Sequence, residues 1–93
     1  MLDDAHFMTL EAAETIALKA LAYLANRADA LERFLTLSGM DTAGLRERAD
    51  EAGFLAGVVE FVLMDETLLV AFCEDEALNA KSVHLASATL SGA

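Results

Sequence analysis

The chain has no proline and no tryptophan, a single cysteine, and 6 basic residues against 16 acids. Each shortage excludes something. Without proline, no helix is forced to break by a missing backbone N–H. One cysteine rules out an intrachain disulfide and fits a reducing compartment. The scarcity of bases leaves a formal net charge of −10, a field that repels nucleic-acid phosphates and anionic membrane surfaces and favours solubility or a basic partner. The opening MLDDAHFMTL has no basic segment followed by an apolar run, so it does not read as a signal peptide, and the default expectation is a cytoplasmic protein. β-Branched residues are few, while alanine and leucine dominate an apolar fraction of 56%. That composition favours helix, and 93 residues suffice for one small domain.

The richest apolar stretch is Phe54 to Cys73, FLAGVVEFVLMDETLLVAFC. Its length would let it cross a bilayer. Glu60, Asp65 and Glu66 in its middle make that costly, so no membrane span is expected. Two amphipathic helices meeting at Met64–Asp65 fit better. Phe54, Val58, Phe61 and Val62 share one helical face, as do Leu68, Leu69, Phe72 and Cys73. Asp65 would cap the second helix, with Glu66 in its first turn. A single unbroken helix is the alternative.

Around this centre the chain divides into short helical segments. Thr9 caps a first helix to about Ala25, with Leu10, Ala13, Ala17, Ala20, Leu21 and Leu24 facing inward. Asp29 with Glu32 reads as an N-cap and capping-box partner for a second helix, whose apolar face is Leu31, Phe34 and Leu35. Gly39 ends it, with the pattern of a Schellman motif. Asp41 or Thr42 caps a third helix to about Glu51, with Leu45, Ala49 and Ala52 as a narrow inward face. The acids Glu74, Asp75 and Glu76 should stop the helix that contains Cys73, because negative charge opposes the dipole there. Asn79 would cap a last helix with Val83, Ala86 and Leu90 inward. The expected fold is all-α: one domain over 1–93, a bundle of five to six short helices, with 1–8 and 91–93 as fraying ends. Phe34, Phe54, Val58, Phe61, Val62, Leu68, Leu69 and Phe72 are its core or interface residues.

Candidate sites are few. Residues 30–51 have the outline of a helix-turn-helix, with Arg46 and Arg48 on the reading helix. Against nucleic-acid binding, Arg46 is spaced to pair with Asp50 and Arg48 with Glu51, and Asp41, Glu47, Asp50 and Glu51 would face the phosphates. Glu47 and Glu51, and the run 74–76, could suggest a metal, yet no Glu-x-x-His or calcium-loop spacing accompanies them. Cys73, between Phe72 and Glu74, suits packing better than nucleophilic catalysis. His6 and His84 read as surface residues, and no glycine loop for nucleotides is present. The expectation is therefore no enzyme, no cofactor and no metal. A protein-binding module is favoured, its partner unknown and of basic character, and a helix-turn-helix regulator is the alternative.

The runs AETIALKALAYLA (Ala13–Ala25), ERFLTLSGMDTAGLRERA (Glu32–Ala49) and GFLAGVVEFVLMDETLLVAFCE (Gly53–Glu74) resemble a family of short alphaproteobacterial proteins of unknown function, DUF 3572. The most specific parts are Phe34–Gly39 and Asp65–Cys73, and the last 17 residues match less well. The resemblance implies a bacterial, cytoplasmic protein and supplies no activity or site residue.

A symmetric dimer is also expected. Leu55, Val59 and Leu63 lie beside the Phe54/Val58/Phe61/Val62 stripe, and Val70 beside Leu68/Leu69/Phe72, so one stripe could face a second copy. The rival is a monomer in which the terminal helices cover the spare stripe, and the −10 charge of each subunit supports that rival.

Overall fold

The structure, a computed structural model, describes residues 8–49 and 51–92. Among them are six helices and no strand: α1 Leu10–Ala25, α2 Ala28–Ser38, α3 Thr42–Arg48, α4 Ala52–Met64, α5 Glu66–Glu76 and α6 Ala80–Leu90. The expectations for residues 1–7, which include His6, and for Asp50 and Ala93, lie outside the described residues.

Local chemistry explains most boundaries. Side chains of Thr9, Asp41, Asp65 and Asn79 accept backbone N–H bonds from Ala12, Gly44, Leu68 and Ser82, and so satisfy donors that helix geometry leaves open. The Asp65 cap divides Phe54–Cys73 into two helices rather than one. Gly39, at φ 71°, closes α2 as expected: Met40 N–H donates to Leu35 C=O at 3.1 Å and Gly39 N–H to Thr36 C=O at 3.3 Å.

Three boundaries differ from the sequence reading. The second helix starts at Ala28 with Arg27 as N-cap, and no side chain caps it, so Asp29 and Glu32 form no capping box. The link from α1 is too tight for one: Arg27 N–H already donates to Leu24 C=O, and the Asn26 amide closes on Ala22 C=O. Asp29 instead places its charge in the first turn, where the dipole favours it. Helix α3 stops at Arg48, short of Glu51, and α4 begins at Ala52, ahead of Phe54 where the apolar stretch starts. Helix α5 runs through its three terminal acids to Glu76. Ala77, at φ 55°, then turns the chain so that Leu78 N–H reaches Cys73 C=O. One of those acids has a cationic neighbour, since Asp75 accepts from Tyr23 Oη at 2.8 Å and lies 3.7 Å from Arg27.

Helices α1, α4 and α6 pack on one another, with α5 against α4 and α2 against α1. Ala13, Ala17, Ala20 and Ala86 are fully buried, and these short side chains let the α1 and α6 backbones come close to Val58, Val59 and Val62 of α4. The inward face of α1 is rotated from the expected one: Leu10 is 51% exposed and Ile16 is buried. The alanines sit at the centre of that face, and Leu10 falls about 60° to one side. The core is closed laterally by Phe72, whose ring meets Tyr23 edge-on at 5.4 Å. Val83, Ala86 and Leu90 of α6 are buried as expected, and His84 is exposed.

The α4 part of the stripe proposed for dimerisation is not spare, whereas Val70 on α5 is 50% exposed. Leu55 and Val59 are 1% and 0% exposed within the single chain, and Leu63 is half-buried. Helices α1 and α6, packed on α4, already cover it. No helix among the described residues is long and apolar enough to cross a membrane.

Candidate functional site

One side of α4 remains open. Helical geometry, about 100° per residue, places Gly53, Gly57, Glu60 and Met64 within an arc of roughly 60°. Gly53, Glu60 and Met64 are exposed and Gly57 is half-buried, whereas Phe54, Val58, Phe61 and Val62 on the other sides are buried. Helix α2 stands beside this stripe as a wall. It is fastened there by Phe34, whose ring packs edge-on against Phe54 at 5.7 Å and Phe61 at 5.4 Å. Arg33 reinforces the clasp, with its guanidinium 5.6 Å from the Phe61 ring centroid and donating to Asp65 Oδ2 at 3.2 Å. Phe34, Phe54 and Phe61 are thus brought together, while Val58, Val62, Leu68, Leu69 and Phe72 serve the core.

The result is a groove of about 470 Å³. Its floor is Gly53, Gly57, Phe54 and Phe61. Leu37 and Met64 stand on its lips, 69% and 74% exposed. Arg48, Glu51 and Glu60 also line it, giving the groove one more negative than positive charge. A smaller cleft of about 390 Å³ lies on the opposite side of α2, lined by apolar residues of α1 and α2 together with Leu45 and Arg46. The two arginines suggested as nucleic-acid contacts therefore line different clefts, as positions two apart on a helix must. Glu51 meets Arg48 through the backbone, its N–H donating to Arg48 C=O at 2.9 Å, and the two side chains form no ion pair among the described residues. The expected Arg46–Asp50 pair lies outside them.

Asp65, Cys73 and Tyr23 are each shifted by their surroundings. The Leu68 N–H, then the hydrogen bond and charge of Arg33, hold Asp65 below the usual carboxylate range, against a desolvation that pushes upward. Burial raises the Cys73 thiol, the opposite of what a nucleophile needs. Burial and the hydrogen bond to Asp75 raise Tyr23. No group of three His, Cys, Asp or Glu side chains is gathered for a metal among the described residues.

Residues 10–93 match the family described as Protein of unknown function (DUF3572). The chain belongs to that family. The match includes α6, the part in which the resemblance is weakest. No characterised protein and no solved structure matches the chain. For this DUF3572 protein the groove is the candidate site. The sequence reading missed its key positions: Leu37, Met64 and the two glycines went unremarked as surface. The i, i+4, i+7, i+11 spacing of Gly53, Gly57, Glu60 and Met64 was the available clue.

Proposed function

We propose that this DUF3572 protein is a non-enzymatic protein-interaction module of the bacterial cytoplasm, and that the α2–α4 groove is its binding surface. One observation carries the reading: two large apolar side chains, Leu37 of α2 and Met64 at the end of α4, line an apolar-floored groove and stand mostly in solvent. Scattered exposed apolar residues are ordinary, but a contiguous concave set is where partners are buried. The acidic balance of the chain makes a basic partner the better match. No cofactor is part of this reading.

The test compares the tagged full chain with a Leu37→Glu/Met64→Glu double variant in affinity capture from native extract. A protein retained by the wild type and lost by a variant of unchanged helicity and melting temperature is the expected result. Identical capture by both overturns the groove. Nucleic-acid binding is examined in parallel: saturable duplex binding at low salt that weakens in Arg46→Ala and Arg48→Ala would replace the module reading with a helix-turn-helix one.

A further inference from the structure

The glycines of α4 are unexplained by the chain's own packing. A Cβ built at Gly53 or at Gly57 would meet nothing within 4 Å, and neither residue has a positive φ. Gly57 occupies the middle of α4, where glycine disfavours helix relative to alanine. What it does is leave the helix backbone bare along the groove floor. From Gly53 to Met64 the open stripe spans 12 residues, a rise of about 16 Å or three helical turns, bare at the two glycines and carrying the Glu60 and Met64 side chains beyond them. It is bounded by Leu37 on α2 and Met64 at the far end, and it carries Glu51 and Glu60 against Arg48.

A helix lying against another needs axes about 8–10 Å apart, with small side chains where the approach is closest. A stripe bare at Gly53 and Gly57, with Leu37 on the neighbouring helix and Met64 at its far end, allows that close approach at its bare turn. We infer that the groove receives a basic amphipathic helix of a partner protein, about three turns long. Its apolar face seats on Gly53 and Gly57 between Leu37 and Met64, and its Lys or Arg side chains reach Glu51 and Glu60. This rests on the interaction-module reading and names the partner's chemistry. A second copy of the chain is the poorer occupant, because each copy brings a net charge of −10 to the contact.

The test is fluorescence anisotropy of labelled probe peptides titrated with the full chain. One probe is an Ala/Leu helix with leucines at i, i+4, i+7 spacing and lysines flanking them, and the other carries glutamates in place of the lysines. The lysine probe should saturate and bind at least about tenfold more tightly than the glutamate probe at low salt. Gly57→Leu fills the groove at a position with open space, so it should abolish binding while the melting temperature holds or rises. Glu60→Lys should weaken the lysine probe about three- to tenfold and strengthen the glutamate probe. Absence of binding by the lysine probe, equal or tighter binding of the glutamate probe, or lysine-probe binding unaffected by Gly57→Leu overturns the inference. So does a concentration-dependent dimer in sedimentation that Gly57→Leu abolishes. If the probes fail while a captured protein is still lost with Gly57→Leu, the module reading survives and its helical occupant does not. If Gly57→Leu changes neither, both fall.

Discussion

The molecule joins two regions held together in different ways. In the α1–α4–α6 core, fully buried alanines meet valines, and side chains are short enough for every face of contact to close. In the α2–α3 segment, α2 leans on α1 and is joined to α4 and α5 by a few large groups: Phe34 between Phe54 and Phe61, and Arg33 on Asp65. None of the described α3 residues is buried. Close packing leaves no room for a ligand, whereas an element propped on one aromatic wedge leaves a cleft on either side. The region contributing least to the core is therefore the one offering a surface.

The contrast can be broken first at its strong end. Phe72→Ala removes a fully buried ring from the core and should cost about 3–5 kcal/mol, read as a lower denaturant midpoint for the whole chain. Phe34→Ala removes the wedge of the α2–α3 segment. The loss should be smaller, no more than about 3 kcal/mol, because α2 can shift to fill the gap. Amide exchange should accelerate in α2 and α3 while α1, α4 and α6 stay protected; uniform acceleration would show that the segment is no separate region.

Two of the left-handed helix ends sharpen the comparison at a finer scale. Gly39 ends α2 at φ 71°, and exposed Ala77 ends α5 at φ 55°. Gly39→Ala should destabilise and Ala77→Gly stabilise, each by about 1 kcal/mol, measured by urea unfolding. Equal signs for the two would contradict the backbone account.

The smallest expected effect is acidic. Asp65 has a folded-state pKa depressed by the Leu68 N–H and Arg33, so the stability it contributes is present above the unfolded value of about 3.9. It is lost as pH falls through the folded value. Thermal melts from neutral pH downward should therefore show a steeper acid limb for the wild type than for Asp65→Asn, and parallel limbs would remove this role. Tyr23 works in the opposite direction: its raised pKa contributes stability below the unfolded value of about 10, lost as pH rises through the folded one.

Much of the fold was legible because helix ends are local. Thr9, Asp41, Asp65, Asn79 and Gly39 each satisfy backbone groups within a few residues, so their roles follow from neighbours in sequence. The failed capping box at Asp29 marks the limit, since the tight turn after Leu24 moved the start of α2. The candidate site was less legible. Phe34, Phe54 and Phe61 could be chosen as buried residues, but their meeting joins α2 to α4 across a third helix in the chain.

Composition and periodicity by themselves determined an all-α chain and most of the residues that avoid water, and favoured without deciding the division at Met64–Asp65, because hydrogen bonding and amphipathicity act over one or two turns. Tertiary packing alone decided which stripe of α4 stayed open. Leu55 and Val59 looked available and were covered by α1 and α6, while Gly53 and Gly57, which read as helix ends or close-packing sites, and Met64, which read as a helix boundary, line an open groove. Burial of a face depends on which distant helix arrives there, and in this chain the alanines of α1 and α6 let those helices settle on the valine side.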